Sequence, residues 1–375
     1  MLHHLKTVRW LHCFDEDGFA GWGMAEIKVL GLALYGSEAA SHRVRLGQYV
    51  PGLRERGIDL QIHSLLDNAY VVRRFSGERA VIGDFLAGVW SRVRLLLDSD
   101  RFDAAIVHCE LLPFFPAWLE RQLLKIPYIY DFDDAFFLRY RIGRLSRLSP
   151  VLGRKFDSFV RGAAAVTAGN RYLAEYASKH GRNVTVLPSV VDTSVFRPIT
   201  TGVTQDALTI GWIGSPSTAA YLDQLVEPLS QVATEGPTRL VVIGGRAPSI
   251  PGVEVVELPW SSSTEVDDIN SFDVGIMPLR NDDWARGKCA FKLIQYMACG
   301  IPVIASRVGA NVDVVSSDCG VLVDDSDSWV SAIRLMRDDE SARKAMSLAC
   351  RRRAVESYSL DGAVPKLAGV IRSVN

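Results

Sequence analysis

The chain has 375 residues, of which 48% are hydrophobic, 23% charged and 9% aromatic, a composition typical of folded globular proteins rather than disordered chains. At roughly 150 residues per domain, this length predicts two or three domains. Lys and Arg number 42 against 43 Asp and Glu, so the formal net charge is -1 and no overall basic field points to nucleic acid. An anionic ligand must therefore be bound by a local arrangement of groups.

The six cysteines form no Cys-x-x-Cys pair and no zinc-finger spacing. Because a chain of this length needs no disulfides to form a core, we predict reduced thiols in a cytoplasmic protein. No stretch reaches the roughly 18 uninterrupted apolar residues of a membrane span. Residues 1–26 show neither a clear pattern nor that of a secretory signal, so we predict an N-terminal extension, in which Met24 is an alternative start.

Short apolar segments alternate with helical patterns over residues 27–188. Strands are predicted at 28–35, 58–65, 104–108, 127–130, 164–168 and 184–187, and helices at 41–57, 83–97 and 114–124. This alternation predicts one domain built on a parallel sheet with helices on both faces.

Residues 189–206 contain prolines, threonines and little periodicity, which predicts a linker. The alternation then restarts over residues 207–357, with strands predicted at 208–214, 240–244, 253–258, 274–277, 302–305 and 321–323. Helices are predicted at 217–233, 266–271, 289–299, 327–336 and 340–357, and residues 358–375 form a last helix that can pack back on the first domain. The chain is therefore predicted to be α/β, with two doubly wound, Rossmann-like domains facing across a cleft. Ligands of such sheets bind outside the carboxyl ends of the strands, here near Gly36 and Gly214.

The clearest local signal for a ligand is Gly-Trp-Ile-Gly-Ser-Pro-Ser-Thr at residues 211–218. A strand ends at Gly214, and Ser215 is placed to cap the helix that follows. The first turn, with Ser217 and Thr218, would then direct free N–H groups and the positive end of the helix dipole at a phosphate. An ordinary capped helix of an α/β domain is the alternative interpretation.

A second signal is the polar stripe formed by Lys288, Lys292 and Gln295 at i, i+4 and i+7 of an otherwise apolar helix. Buried lysine is costly without a charged partner, and no acid lies at a matching position within the helix. A bound diphosphate would supply the partner. The alternative is a solvated edge from which both lysines extend into water.

These two segments, together with 272–279 and 284–306, resemble the donor-binding half of family-4 glycosyltransferases of the two-Rossmann, or GT-B, class. The resemblance extends over nearly all of the chain after residue 27 and is strongest from 208 to 360. It implies a UDP- or GDP-linked sugar donor in the C-terminal domain and a glycan or lipid-linked acceptor on the N-terminal one. It also implies retention at the anomeric carbon, with no metal and no other cofactor. The expected activity is sugar transfer in cell-surface polysaccharide biosynthesis.

Two positions depart from the family pattern. The family's pair of carboxylates, eight residues apart, falls on Gly287 and Gln295. We expect Gln295 to bond the ribose hydroxyls, more weakly than a carboxylate would. Asp282 and Asp283 are then the candidates for the sugar hydroxyls, with Asp283 predicted as a catalytic residue.

The resemblance also implies roles for charged residues on both sides of the cleft. Lys288 and Lys292 would stabilise the negative charge that grows on the departing diphosphate. His108, at a strand end, is a candidate to face the sugar, with Glu110 as a base on the acceptor side; a hydrogen-bonded strand end explains His108 equally well. Arg43, in the first helix, is a candidate for a phosphate contact, which a solvated helix face explains nearly as well.

An acidic turn, Asp131-Phe132-Asp133-Asp134, follows another strand. Carboxylates can hold a metal, but the GT-B class works without one. An acceptor-facing or structural turn is therefore the preferred interpretation.

Two basic segments of the N-terminal half could lie on anionic lipid, as would suit a lipid-linked acceptor on the inner face of a plasma membrane. Solvated helix faces are the alternative. One segment contains Arg139, Arg141, Arg144, Arg147, Arg154, Lys155 and Arg161, and the other contains Arg73, Arg74, Arg92 and Arg94.

Two other functions fit the same architecture. One is a nucleotide-sugar epimerase, which would turn over its substrate without an acceptor. The other is a nucleotide-sugar-binding subunit without catalysis, which the residues at 287 and 295 would explain.

Overall fold

The structure is a computed structural model that describes residues 26–75, 81–199 and 207–375. It also gives the backbone of two short antiparallel strands, β1 (Leu11–His12) and β2 (Trp22–Gly23). Most of the predicted extension, Met24 included, and linker residues 200–206 lie outside the described residues.

Two six-stranded sheets organise the chain, and every strand pair within them is parallel. The first has the order β4-β3-β5-β6-β7-β8, built from β3 (Ile27–Tyr35), β4 (Ile58–Leu66), β5 (Ala104–His108), β6 (Tyr128–Phe132), β7 (Ala165–Ala168) and β8 (Val184–Val186). The second has the order β11-β10-β9-β12-β13-β14, built from β9 (Leu208–Ile213), β10 (Thr238–Ile243), β11 (Glu254–Leu258), β12 (Val274–Met277), β13 (Val303–Ser306) and β14 (Gly320–Val323).

Helices cover both sheets. Those of the first half are α1 (Ala40–Arg45), α2 (Val50–Arg54), α3 (Asn68–Phe75), α4 (Ile82–Leu97), α5 (Ala117–Leu123), α6 (Ser149–Leu152), α7 (Lys155–Gly162) and α8 (Arg171–Ser178). Those of the second half are α9 (Val226–Ala233), α10 (Glu265–Asn270), α11 (Asp283–Arg286), α12 (Phe291–Ala298), α13 (Asn311–Val314), α14 (Ser326–Asp338), α15 (Glu340–Ser357) and α16 (Leu360–Val374).

The central strands are buried along their whole length and mostly apolar because helices cover both of their faces. Every residue of β5, β9 and β13 is buried. The second sheet has the strand order of a dinucleotide-binding Rossmann domain, and its direction of winding reverses between β9 and β12. In the first sheet, the direction of winding reverses between β3 and β5. Crevices at these reversals are where ligands bind in such sheets. The predicted fold class is confirmed.

The predicted strands agree with the structure to within two residues, but two predicted helices were wrong in form. The 41–57 helix is divided into α1, a 3-10 turn and α2, because Pro51 at the start of α2 has no N–H to continue the first helix. The 217–233 helix begins as a 3-10 helix, Pro216–Leu225, and becomes α-helical only at α9. Helices α3, α7 and α8 were not predicted.

The chain crosses between the two domains twice, and the two crossings are hydrogen-bonded together. Val191 and Ser359 form a parallel bridge, in which the Val191 N–H donates to Tyr358 O and the Leu360 N–H donates to Val191 O. Helix α16 then packs on the first sheet, where Leu367 and Ala368 share a hydrophobic cluster with strand β3. The last helix therefore adds to the core of the N-terminal domain.

Candidate functional site

A cavity of about 1270 Å³ lies between the two domains at the carboxyl ends of both sheets. This volume exceeds the upper end of ordinary small-molecule pockets and leaves room for two substrates. Seven predicted site residues line it: Arg43, Gly214, Ser215, Thr218, Lys288, Lys292 and Gln295.

Lys292 is a half-buried lysine that lines this cavity. Its Nζ lies 4.3 Å from the centre of the Trp212 ring, a cation–π contact. Burial, with the charge of Lys288 adding to it, lowers the pKa of Lys292 to about 7. In the part of the chain that the structure describes, no carboxylate forms an ion pair with Lys292. A bound anion would therefore relieve the cost of burying this charge.

The turn before α12 brings both lysines to the cavity. Ala290, the residue before α12, has φ +54°, a left-handed conformation that is uncommon outside glycine. Lys288 precedes this turn, and its Nζ lies 3.9 Å from Asp134 Oδ1 of the N-terminal domain. Strained backbone of this kind persists where the surrounding structure holds it in place.

The predicted role of Gln295 as a direct ribose ligand was incomplete. Its Nε2 donates a 2.8 Å hydrogen bond to Glu265 Oε1, which also accepts one of 3.1 Å from Trp260 Nε1. Gln295 is buried, whereas Glu265 is half-buried and lines the cavity. The carboxylate at this place in the cavity is therefore that of Glu265 on α10, and only the sheet topology brings α10 beside α12.

The turn after β9 is a close-packed loop, but Ser215 does not cap the helix with its side chain as predicted. Instead Ser215 Oγ lies 2.9 Å from Ser217 Oγ, and Thr218 donates from N and Oγ1 to the Ser215 carbonyl. The 3-10 geometry of this turn explains the difference, because the hydrogen bond closes at i+3. Ser217 is not among the residues that line the cavity.

Glycines let two loops pack closely around Trp212. A Cβ at Gly214 would come within 2.6 Å of the Trp212 ring, and one at Gly245 within 2.8 Å. Both loops can therefore lie against the indole that contacts Lys292.

Arg43 reaches from the N-terminal domain to the C-terminal one. Its guanidinium carbon lies 4.5 Å from the centre of the Trp260 ring, and Nη1 donates to the carbonyls of Ser37 and Glu38. Gly36, by contrast, does not open to the cavity as predicted. A Cβ there would lie 2.1 Å from Asn68 Oδ1, so α3, which was not predicted, covers this turn.

Asp282 and Asp283 were wrongly placed in the site. Both are exposed and outside the cavity lining. Asp282 caps α11 by accepting a 2.7 Å hydrogen bond from the Ala285 N–H, and Asp283 lies 3.3 Å from Arg286 Nη1. Both carboxylates lie at the N-terminus of the short helix α11, where a negative charge stabilises the helix dipole.

His108 is a buried strand end rather than a residue of the cavity lining, so its predicted contact with the sugar was wrong for this conformation. Its Nδ1 lies 2.8 Å from Asp131 Oδ2, and Asp131 is also paired with Arg45 and accepts from Thr167. Although burial opposes ionisation, Arg45 and the His108 hydrogen bond hold the pKa of Asp131 well below its usual range. This network joins the first helix to three strands.

Glu110, predicted as a base, also belongs to a buried cluster. Its Oε1 accepts 2.7 Å hydrogen bonds from Lys155 Nζ and from the Tyr140 hydroxyl. Lys155 Nζ lies 3.1 Å from Glu120 as well. With its partners buried around it, Glu110 has no access to an acceptor.

Among the described residues, one group of potential metal ligands brings its atoms within 4.8 Å of one another: His108, Cys109 and Asp133. Cys109 Sγ lies 3.3 and 3.7 Å from the two ring nitrogens of His108. A sulfur bound to the same metal as Nε2 would lie well beyond 4 Å from Nδ1, so this thiol packs against the imidazole. The arrangement does not fit a metal centre.

The basic segments contain residues engaged within the protein as well as exposed arginines, at 94, 144, 147, 154 and 161. Arg141 forms a two-oxygen pair with Asp157, Lys155 is buried, and Arg92 is buried with its guanidinium donating to the carbonyls of Ala33 and His63. Arg73 pairs with Asp84, and the side chain of Arg74 lies outside the described residues. No helix among the described residues is long and apolar enough to span a membrane.

Comparison with known proteins agrees with this geometry. Residues 207–339 match the family model of group 1 glycosyl transferases. A search of curated proteins finds no match to this sequence.

Several solved structures share the fold over almost the whole chain. Sucrose-phosphate synthase from Thermosynechococcus elongatus superposes with a TM-score of 0.72 at 13% identity, covering 92% of this chain and 98% of that one. HepE from Anabaena, in complex with UDP and glucose, gives 0.69 at 13% identity, covering 92% and 100%. A protein assigned as a UDP-N-acetylglucosamine 2-epimerase from Listeria monocytogenes gives 0.60 at 11% identity, covering 93% and 96%.

Likeness at this identity establishes the fold, and the family model covers the domain that carries Lys288, Lys292 and Gln295. The chain therefore has the two-domain GT-B fold, and residues 207–339 of its C-terminal domain match the family model of group 1 glycosyl transferases.

Proposed function

We propose that this protein is a glycosyltransferase that moves a sugar from a nucleotide sugar to a glycan or lipid-linked acceptor, with retention at the anomeric carbon and without a metal. The observation that carries the proposal is Lys292, a half-buried lysine that lines the interdomain cavity against Trp212 and has no carboxylate partner among the described residues. A diphosphate is the anion that the matched family model and the UDP-bound HepE structure suggest for this cavity.

The proposed mechanism is electrostatic. When the bond from the anomeric carbon to the diphosphate oxygen breaks, negative charge grows on the departing diphosphate. Lys288 and Lys292 lie where this charge would develop and, with the N–H groups of the turn after Gly214, would stabilise it more in the transition state than in the ground state. Because these groups are already in position, no reorganisation is needed during the reaction.

We place the nucleoside half of the donor beside Glu265, which also lines the cavity. Glu265, held by Gln295 and Trp260, offers a carboxylate for ribose hydroxyls. The Trp260 ring and Arg43 form an aromatic and cationic wall beside it. A nucleobase can stack on such a surface whatever its identity.

A panel of nucleotides tests the proposal. We expect UDP or GDP, and the matching sugar nucleotide, to raise the melting temperature of the wild type, since a ligand stabilises the state it binds. Lys292→Met should abolish the shift, whereas Lys344→Met, at an exposed lysine of α15, should leave it unchanged. A wild type that responds to no nucleotide would refute the proposal.

The fold shared with the Listeria protein makes an epimerase the second candidate. An epimerase would change the sugar of its nucleotide donor in the absence of any acceptor. NMR of the donor, incubated with enzyme alone, separates the two functions. A nucleotide-binding subunit without catalysis would bind the donor and leave it unchanged both with and without acceptors.

We further propose that the acceptor reaches the enzyme at an anionic membrane surface, as a lipid-linked glycan of cell-surface polysaccharide synthesis would. Helix α4 exposes Ile82, Leu86 and Trp90 at i, i+4 and i+8, each more than half exposed, and Arg94 lies 5.3 Å from the Trp90 ring. Trp118, on α5, is also exposed. Aromatic and aliphatic side chains flanked by arginine are typical of helices that lie in the membrane interface.

Sedimentation with vesicles of phosphatidylglycerol tests this contact. We expect binding that weakens as salt rises and is lost in Trp90→Glu. Leu348→Glu, at an equally exposed apolar position of α15, is the matched control and should bind as the wild type does. Absence of sedimentation at low salt would exclude the membrane contact.

A further inference from the structure

We propose that Asp134 recognises the transferred sugar by accepting a hydrogen bond from one of its hydroxyl groups. This inference rests on the proposed function and adds a residue from the N-terminal domain, which the C-terminal family match does not include.

Asp134 is part of the cavity lining and has one acceptor oxygen that is unsatisfied. It follows β6 and lines the cavity from the N-terminal side. Its Oδ1 is buried and has no hydrogen-bond partner within the described part of the protein. A buried carboxylate oxygen without a donor is costly, so it favours a ligand that brings one.

The neighbouring acid has another role. Asp133 Oδ1 lies 3.8 Å from His108 Nε2 and 3.8 Å from Cys109 Sγ, so it faces the buried network of β5. Asp131 is paired with Arg45. Asp133 also lines the cavity, but of these three acids Asp134 is the one with a buried oxygen that has no hydrogen-bond partner among the described residues.

Contacts between the domains fix Asp134 relative to Lys288. Asn170 Nδ2 donates to the carbonyls of Gly287 and Lys288, each at 3.0 Å, and Cys289 Sγ donates to the Asp133 carbonyl at 3.0 Å. The 3.9 Å distance from Asp134 to Lys288 is thus set by backbone contacts on both sides.

Glycine at 287 explains why this carboxylate belongs to the other domain. A Cβ at Gly287 would come within 2.6 Å of the Ala135 backbone nitrogen and Cβ. A side chain at 287 would have to displace the turn that carries Asp134. Close packing at this point therefore excludes an acid from residue 287 and brings one from residue 134.

The chemistry of the donor then assigns the ligand. If Lys288 binds the diphosphate, the sugar bonded to that diphosphate lies within a few ångströms of it. Sugar hydroxyls donate hydrogen bonds, and a carboxylate can only accept them. Asp134 is a positioning and specificity residue in this scheme, and no bond to it forms or breaks.

The test compares a nucleotide with and without its sugar. Calorimetry measures the affinities of the wild type and Asp134→Ala for UDP, GDP, UDP-glucose, UDP-N-acetylglucosamine and GDP-mannose. We expect Asp134→Ala to bind the nucleoside diphosphate as well as or better than the wild type, because an anion near the phosphates has been removed. Its affinity for the preferred sugar nucleotide should fall about 10–100-fold relative to that of the diphosphate.

Asp134→Asn keeps the shape of the side chain and one acceptor oxygen, so its affinity for the sugar nucleotide should fall less. If the alanine variant does not fold, the asparagine variant still tests the inference. Asp361→Ala, exposed on α16, is the control and should change neither affinity. Equal losses for nucleotide and sugar nucleotide, or no loss for either, would overturn the inference while leaving the proposed function intact. A wild type that binds no nucleotide would overturn both.

Discussion

Gln295 donates a 2.8 Å hydrogen bond to Glu265, so an amide on α12 holds a carboxylate that extends from α10 into the cavity. The resemblance to family-4 enzymes implied a carboxylate at position 295 itself. Here the carboxylate is that of Glu265, on the neighbouring helix α10. Trp260 donates a second hydrogen bond to this carboxylate. The two positions therefore act as one unit and should be changed together.

Exchanging the two residues tests this unit. Gln295→Glu alone places two carboxylates face to face, and we expect a loss of about 1–3 kcal/mol in the free energy of unfolding. The double variant Glu265→Gln with Gln295→Glu restores one amide and one carboxylate, and its melting temperature should return close to that of the wild type. Chemical denaturation of all four proteins measures the coupling. Additive losses would show that the residues are independent.

We expect Lys292 to lower the free energy of unfolding and to raise the rate of sugar transfer. Lys292→Met removes a half-buried charge that has no ion-pair partner among the described residues and keeps the packing against Trp212, so the melting temperature should rise, by about 2–4 °C for each kcal/mol gained. Sugar transfer should fall about 10²–10³-fold, as when other preorganised electrostatic groups are removed. Initial-rate kinetics and thermal unfolding of the same preparation give both values. Full activity in Lys292→Met would contradict its assignment to the leaving group.

Nucleotide binding should take up a proton near neutral pH. Burial lowers the pKa of free Lys292 to about 7, and a bound diphosphate would raise it again. Binding is then strongest below pH 7 and weakens as pH rises above it, because more of the free protein must gain a proton. Calorimetry at pH 7.5 in buffers of different ionisation enthalpy measures this uptake. Lys292→Met should remove it, and an unchanged uptake in that variant would assign the proton to another group.

The buried cluster around Lys155 predicts a second pH effect, on stability. Burial raises the pKa of Glu120 to about 8, against the opposing charge of Lys155. The unfolded chain loses this proton near the ordinary glutamate pKa, so stability is lost as pH rises from about 4.5 to about 8. Glu120→Gln should be more stable relative to the wild type at pH 8 than at pH 5, by about 1–3 kcal/mol. Urea unfolding at both pH values measures this difference, with the exposed Glu356→Gln as a control expected to show none.

The sequence predicted most of the architecture because the strands are continuous apolar runs bounded by glycine, proline or charge. The 104–108 and 274–277 strands were predicted at their observed bounds, since both are fully buried and apolar except for His108 at the end of the first. Helix α3 was missed, and with it the cover over Gly36, because that segment is short and only half apolar. The break at Pro51 and the 3-10 helix after Pro216 follow from local backbone chemistry, and proline was the available signal for both.

The site also contains residues that the sequence predicted and contacts that only the structure shows. Lys292 and Gln295 were found because α12 presents both on one face, whereas Lys288 lies before the left-handed turn at Ala290 and reaches the cavity from outside the helix. The partnership of Gln295 with Glu265, and that of Lys288 with Asp134, joins residues 30 and more than 100 positions apart. Asp282, Asp283 and His108 lay close in sequence to the site, but capping and a buried ion network engage them elsewhere.

The sequence by itself determined two parallel sheets, the loops at their carboxyl ends and the lysines at 288 and 292, because periodicity and local hydrogen bonding act within a few residues. Only the tertiary structure decided which carboxylates meet those lysines. That choice depends on which loops the two sheets bring to the cleft and on the close contact between Gly287 and Ala135, which no spacing along the chain encodes.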